Sequence, residues 1–203
     1  LIAAPREARL GQRITVAFCD YRDAATTFGC EATPFDRILS CEMIEAVGHA
    51  FLPGYFAAID QCLKPGGTAA LQVIAVPDER YASYLRGSDF VRKHVFPGSS
   101  LVCLDAVKRA LPGDSAGGAT IQPLYLDAKA TTSLGISYAR TLAAWRRRFE
   151  SKIDRVTSLG FDDAFQRKWR YYLEYCEAGF ATKHIDVYQI RLVKTDQDKV
   201  KAA

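Results

Sequence analysis

The sequence predicts an α/β layer fold with a parallel pair of strands at its centre. Three consecutive patterns carry this prediction. The segment "FDRILSCEM" (35–43) is typical of a buried strand, and residues 52–63 carry apolar side chains at helical spacing. The segment "TAALQVIAV" (68–76) is almost continuously apolar, as in a strand that is covered on both faces. A strand, a helix and a second strand in this order form one βαβ unit.

The segments next to this unit fit the same fold class. "RITVAFCDY" (13–21) alternates between apolar and polar residues and is rich in β-formers, so we expect a strand that ends near Asp20. The turn "LKPGG" (63–67) should end the helix, because Pro65 cannot continue it and the glycines permit a left-handed turn.

The second half of the chain predicts further helices and strands. Residues 78–100 mix aromatic and charged side chains, which favours helical pieces that end in a Pro-Gly loop. The remaining elements that we expect are a helix at 103–111, a loop at 112–118, a strand within 119–130, a strand at 185–194 and a frayed tail.

Two long amphipathic helices are predicted between residues 137 and 180. Each has a stripe of apolar side chains at three- and four-residue steps, which is the spacing of one helix face. The first stripe is Tyr138, Leu142, Trp145, Phe149, Ile153 and Val156, and the second is Phe161, Phe165, Trp169, Tyr172, Cys176 and Phe180.

The composition is that of a soluble globular protein, with 49% apolar and 25% charged residues among 203. The six cysteines are far apart, so we expect reduced thiols, mostly in the core, and no metal site. The net charge of +4 is too small to favour nucleic acid. Basic residues concentrate between Arg140 and Arg170, where a solvated helix face is the first interpretation and attraction to anionic lipid headgroups the alternative. Because Met43 is the only methionine, we expect this chain to be a piece of a longer one.

Polar residues follow the predicted parallel strands at their carboxyl ends, the edge at which open α/β sheets bind ligands. They are Asp20 with Tyr21, the segment from Ser40 to Glu45, and Gln72. Taken alone, Glu45 is better explained as a carboxylate in the first turn of a helix, where the helix dipole stabilises it.

The sequence resembles one family over nearly its whole length. The turn "LKPGG" before a buried strand resembles class I S-adenosylmethionine (SAM)-dependent methyltransferases. "CDYRD", "FDRILSCEMIEAVG", "YFAAIDQCLKPGG", "PDERY", "SDFVRKHVFPG", "YARTLAAWRRRF" and "YYLEYCEAGFATKHIDVYQI" stand in the order found in cyclopropane-fatty-acyl-phospholipid synthases. "EMIEAVG" and "QVIAVPDERY" look like the plant-type branch of that family.

The resemblance implies a class I methyltransferase sheet of strand order 3-2-1-4-5-7-6, of which this chain supplies the third to the seventh strand. The first two strands and the Gly-rich loop between them would precede Leu1. We therefore expect residues 1–203 to be the C-terminal part of a single SAM-dependent domain. A helical insertion is expected at about 78–111 and the long helices at about 137–180.

The resemblance also implies roles for individual residues. Asp20 and Tyr21 would line the adenine pocket, and Ser40 and Cys41 would lie against the cofactor.

The catalytic residues that the resemblance implies lie nearby. Glu45, in the family's "E-x-(V/F)-G" segment, and Tyr138, in its "Y-x-x-T-L-x-x-W" segment, would bind a bicarbonate ion. Gln72, which we also place in the catalytic group, and Ala46 stand where many bacterial members have His.

The implied function is SAM-dependent transfer of a methylene or methyl group to the double bond of unsaturated acyl chains in membrane phospholipids. The implied protein is cytoplasmic, bound peripherally to the membrane, and a possible homodimer. Two alternatives remain: a methyltransferase for a soluble small molecule, and a non-catalytic remnant that binds lipid or a partner.

Overall fold

The computed structural model describes residues 14–112 and 124–196. Within these ranges four strands and eight α-helices follow one another along the chain. The strands are β1 (Phe35–Cys41), β2 (Leu63–Ala75), β3 (Leu124–Ser133) and β4 (Asp186–Lys194). The helices are α1 (Ala24–Thr27), α2 (Leu52–Cys62), α3 (Asp78–Arg86), α4 (Phe90–His94), α5 (Leu104–Ala110), α6 (Gly135–Glu150), α7 (Ile153–Ser158) and α8 (Asp163–Ala181).

The four strands form one sheet in the order β1-β2-β4-β3. β1 and β2 are parallel and joined through α2, whereas β4 runs antiparallel to both of its neighbours. This is the order expected for the fourth, fifth, seventh and sixth strands of a class I methyltransferase sheet. The βαβ unit and the predicted fold class are therefore confirmed.

Helices cover both faces of the sheet. On one face, Leu71 and Val73 of β2 belong to a core that includes Phe56 of α2 and Val107 of α5, all of them at most 2% exposed. A second core joins Leu142 of α6 to buried residues of α8 and β4. Burial on both sides explains why β2 is nearly continuous in apolar residues.

Most of the predicted elements form close to where the sequence places them. The strands at 35–43 and 185–194, the helices at 52–63 and 103–111, and the helical pieces after residue 78 are all confirmed. The strand predicted within 119–130 is β3, which continues to Ser133. The loop predicted at 112–118 lies outside the described residues except for Pro112, and the tail does so from residue 197 onwards.

The prediction of a strand at 13–21 is wrong for residues 14–20, which the structure describes. Residues 14–20 are in no strand, and Val16 and Phe18 are 70% and 109% exposed. A strand needs a neighbour that accepts its backbone hydrogen bonds, and no described strand pairs with this segment.

Two boundaries also differ from the prediction. β2 begins at Leu63 rather than Thr68, and the "LKPGG" segment forms an irregularity against β1 in which Gly66 has φ +75°. The first apolar stripe is divided between α6 and α7, because the backbone turns at Ser151, whose hydroxyl donates to the carbonyl of Arg148.

Candidate active site

Three polar side chains from distant parts of the sequence meet at the carboxyl end of β1, where Gln72 of β2 pairs with Cys41. Glu42 follows β1 directly, and its backbone N–H donates to the Gln72 carbonyl at 2.8 Å. The Gln72 side-chain amide donates to Glu42 Oε1 at 2.8 Å, and the Tyr138 hydroxyl donates to the same oxygen. The Gln72 amide nitrogen also lies 2.6 Å from the Tyr138 hydroxyl oxygen. Together with Glu45, we call these residues the acid cluster.

The orientation of Gln72 is set from the neighbouring strand. Gln189 of β4 lies opposite Gln72 in the sheet, and its side-chain amide donates to Gln72 Oε1 at 3.0 Å. With its oxygen used in this way, the Gln72 amide presents its N–H groups to Glu42.

Tyr138 is held in place by the start of α6. The Gly135 N–H and the Ser133 hydroxyl donate to the two Asp186 carboxylate oxygens, both at 2.7 Å. A Cβ at position 135 would collide with that carboxylate, so only glycine permits this close approach. One turn later Tyr138 packs on Phe180 with ring centroids 5.3 Å apart. Burial and the hydrogen bond to Glu42 raise the pKa of the Tyr138 phenol above its ordinary range.

Glu45 is a buried carboxyl, 8% exposed, in the short 3-10 helix Ile44–Ala46. Its Oε1 accepts a hydrogen bond from the Ile74 N–H at 2.6 Å. Its Oε2 is buried without a hydrogen-bond partner among the described residues. Burial, together with the nearby charge of Glu42, raises the pKa of Glu45, which favours the neutral acid. The interpretation of Glu45 as an ordinary first-turn carboxylate does not explain this burial.

A cavity of about 1070 Å³ opens beside the acid cluster. Glu42, Glu45 and Tyr138 line one part of it, and the rest lies between α6, α8 and the segment that contains α3 and α4. Aromatic residues form much of its wall, namely Tyr84, Phe96, Trp145, Tyr172, Tyr175 and Phe180. The helices that follow residue 78 and the long helices α6 and α8 therefore line one cavity.

The residues predicted to contact the cofactor lie outside this cavity, near the end of β1. The Tyr55 hydroxyl donates to Ser40 Oγ at 2.7 Å, and Tyr21 packs edge-on against Tyr55 with ring centroids 5.6 Å apart. Burial raises the pKa of Tyr55 to about 12, so its hydroxyl stays protonated at neutral pH. The Cys41 thiol is free and exposed. Side chains alternate along a strand, so Ser40 and Cys41 face opposite sides of the sheet.

Asp20 caps the short 3-10 helix that begins at Tyr21. Arg22 donates to its carboxylate from the backbone N–H and from the guanidinium at 2.7–2.9 Å. The Arg22 guanidinium lowers the pKa of Asp20 to about 2. Asp20 is therefore a charged capping residue, placed next to Tyr21 but already paired.

The sequence placed Glu42 in the candidate segment from Ser40 to Glu45 but assigned it no role of its own. Its partner Tyr138 is 96 positions away. The one local signal is the change from an apolar strand to a carboxylate at the strand's end.

All six cysteines are free, and Cys30, Cys62 and Cys103 are buried, while Cys19 and Cys41 are exposed. Within residues 14–112 and 124–196, no group of His, Cys, Asp and Glu is arranged to hold a metal ion. In those same ranges, no helix combines the length and the apolar character that crossing a membrane requires.

Comparison with known proteins agrees with this architecture. Residues 4–190 match the family described as mycolic acid cyclopropane synthetase. The chain belongs to this family. It is 37% identical to tuberculostearic acid methyltransferase UfaA1 of Mycobacterium tuberculosis over 187 residues. This alignment covers 92% of the chain and 40% of UfaA1. It is 28% identical over 180 residues to cyclopropane-fatty-acyl-phospholipid synthase of Escherichia coli, covering 89% of the chain and 41% of the relative.

A solved member of the mycolic acid cyclopropane synthetase family has the same fold. The structure of mycolic acid cyclopropane synthase CmaA1 complexed with SAH and CTAB matches with a TM-score of 0.64 and 25% identity. The match covers 79% of this chain and 56% of CmaA1. The fold is that of class I SAM-dependent methyltransferases, and the chain spans about two fifths of the two curated relatives named above.

Proposed function

We propose that the protein containing this chain transfers one carbon from SAM to the double bond of unsaturated acyl chains in membrane phospholipids. Family membership supports a SAM-dependent enzyme that modifies lipids. The observation that carries the substrate class is the cavity, because an aromatic-walled space of about 1070 Å³ suits a hydrocarbon chain. It leads to two carboxyl groups and a phenol, where a reacting carbon can meet acid–base groups.

The residues at the end of β1 fit part of a SAM site. Bound SAM would supply an electrophilic methyl group on a positively charged sulfur. The Tyr21 and Tyr55 rings and the Ser40 hydroxyl offer the aromatic surface and polar contacts that an adenosyl group requires. Asp20 would contribute only if Arg22 released it. Crystals of CmaA1 with SAH support this class of cofactor.

Aromatic residues near the acid cluster would stabilise positive charge on the acyl chain. Attack by an alkene on an electrophilic methyl carbon leaves a cationic carbon on the chain, and the faces of aromatic rings attract cations. Tyr138 and Phe180 stand side by side at this end of the cavity. Their rings would hold the reacting segment and exclude water from it.

The residues present do not fit the bicarbonate ion that the resemblance implies. Tyr138, one of its expected donors, donates to Glu42 instead, as does the Gln72 amide. A bicarbonate would therefore have to displace a carboxylate or lie beside one, and like charges at such a distance repel each other. We draw no step through bicarbonate.

Peripheral membrane binding is part of the proposal. Phe96 lines the cavity and is 53% exposed, and Lys93 and His94 at the end of α4 are exposed beside it. An exposed aromatic residue next to basic ones suits an anionic lipid surface. On α6, Arg147 and Arg148 are exposed, whereas Arg146 is paired with Glu177 at 3.2 Å.

The test is a transfer assay with labelled SAM and the natural polypeptide that carries this chain. Vesicles of a monounsaturated phospholipid should accept label, and vesicles of the saturated analogue should not. Thr141 lines the cavity from an exposed position on α6, so Thr141→Trp should narrow the cavity and lower transfer. Equal labelling of both kinds of vesicle, or labelling of a soluble acceptor alone, would contradict the proposal.

A further inference from the structure

We propose that Glu42 is the proton acceptor of the reaction and occupies the place of a bound anion. This inference rests on the proposed transfer to an acyl double bond. It assigns to a side chain of this protein the task that the family resemblance gave to bicarbonate.

The hydrogen-bond donors around Glu42 are arranged as in an anion-binding site, and the carboxylate of Glu42 itself takes the place of the anion. Two donors, the Tyr138 hydroxyl and the Gln72 amide, converge on one carboxylate oxygen, Oε1. For Glu42 Oε2 the structure records no hydrogen bond among the described residues, and Glu42 lines the cavity. One oxygen is thus fixed in position, and the other, on a residue that lines the cavity, would be available to a bound acyl chain.

The backbone of Glu42 indicates that a carboxylate is held here at some cost. Glu42 has φ +49°, and within residues 14–112 and 124–196 the only other residue besides glycine with a positive φ is Lys183. This left-handed conformation is unfavourable for a residue with a side chain and is found repeatedly at functional sites. Glycine would adopt it without strain, so the strain accompanies a functional group rather than the turn itself.

The two carboxyl groups of the acid cluster are in different environments. Glu45 is buried with one oxygen unpartnered, and Glu42 is exposed and fully supplied with donors on one oxygen. Two acids in such contrasting environments divide acid and base roles in many enzymes. Glu45, whose pKa is raised by burial, would be the acid of the pair, and Glu42 would serve as the base.

The proposed step balances as follows. The π electrons of the acyl double bond form the new C–C bond to the methyl carbon, and the electrons of the broken C–S bond remain on sulfur. This leaves a positively charged carbon on the acyl chain. A neighbouring C–H bond then breaks, its electrons close a ring or a new double bond, and its proton passes to Glu42. Because Glu42 is exposed, the proton can leave to water afterwards.

The first test needs no substitution. Buffers stripped of carbon dioxide should leave turnover of the natural polypeptide unchanged, and calorimetry with millimolar bicarbonate should show no binding. Bicarbonate binding together with a strict requirement for it in turnover would overturn the proposal.

The second test uses three variants. Glu42→Gln keeps an acceptor for Tyr138 but removes the base, so turnover should fall about 10²-fold or more. Glu42→Gly empties the site, and added formate or bicarbonate should bind to it and restore part of the lost turnover. Glu31→Gln, a change at an exposed glutamate in the turn before β1, is the matched control and should behave as wild type. Full turnover of Glu42→Gln would overturn the proposal.

A spectroscopic readout separates this proposal from the proposed function. The charge of Glu42 helps to raise the pKa of Tyr138, so Glu42→Gln should lower the pKa of that phenol in ultraviolet difference titrations. Tyr138→Phe identifies its contribution to the signal. If wild type labels no acyl chain, the proposed function fails; if it does so only with bicarbonate, the assignment of Glu42 fails.

Discussion

Replacing Glu45 by Gln should remove a pH dependence from the stability of the fold. Burial raises the pKa of Glu45 above its ordinary value of 4.5, so the folded state binds this proton more tightly than the unfolded chain does. Gln is neutral at every pH and keeps the oxygen that accepts from the Ile74 N–H. The substitution thus changes the charge and leaves the buried hydrogen bond in place.

The sign and size follow from proton linkage. Between pH 4.5 and the raised pKa, the folded protein retains a proton that the unfolded chain releases, so stability falls as the pH rises through this window. Below pH 4.5 the penalty is absent, and above the raised pKa it is complete. For one group the slope cannot exceed about 1.4 kcal/mol per pH unit.

Urea unfolding of the natural polypeptide over a series of pH values measures this slope. Glu45→Gln should flatten the decline above pH 4.5, whereas Glu31→Gln should leave it unchanged because Glu31 is exposed. Below pH 4.5, where Glu45 is neutral in both states, Glu45→Ala should cost about 1–3 kcal/mol, since the Ile74 N–H would lose its acceptor. An unaltered slope in Glu45→Gln would refute the claim that burial raises the pKa of Glu45.

Three further outcomes are expected. In the transfer assay, Glu45→Gln should lower product formation by about 10²-fold or more, because Gln lacks the acidic proton of the buried carboxyl. SAH binding by calorimetry should be nearly unchanged, and wild-type turnover would remove Glu45 from the site. Lys93 lies beside the exposed Phe96, so Lys93→Glu should reduce the fraction of protein that sediments with anionic vesicles at low salt. Lys108→Glu on α5 should not reduce this fraction, and equal losses in both variants would argue against a specific membrane face. Leu39 is 86% exposed on β1, an edge strand of the sheet that residues 14–112 and 124–196 form. Leu39→Lys should therefore reduce self-association of residues 1–203 in sedimentation velocity, and unchanged association would argue against a role for this edge.

The fold could be predicted from sequence where local pattern and burial agree. The strand, helix and strand from residue 35 to residue 75 form almost as expected, because periodicity records which faces are covered. The same reasoning failed for residues 14–20, whose alternation is as regular. Their pattern specifies which face would be buried, but a strand exists only where a neighbour pairs with it.

The candidate site was predicted residue by residue only as far as the family resemblance reached. Glu45 and Tyr138 do line one cavity, and Gln72 is bonded to Tyr138. The position of Glu42 depends on a left-handed backbone and on a tyrosine 96 positions away. Neither property leaves a periodic or compositional signal, so only the three-dimensional arrangement shows it.

The central claim, that the cavity presents an acyl double bond to the acid cluster, is tested most directly by locating the transferred carbon. The natural polypeptide is incubated with labelled SAM and vesicles of a phospholipid with one double bond, and the acyl chains are released and fragmented in a mass spectrometer. We predict that the labelled carbon is bonded to both carbons of the former double bond as a ring, or to one of them as a methylene or methyl branch. Label in the headgroup, or an acyl chain that returns unlabelled while a water-soluble acceptor is methylated, would contradict this account.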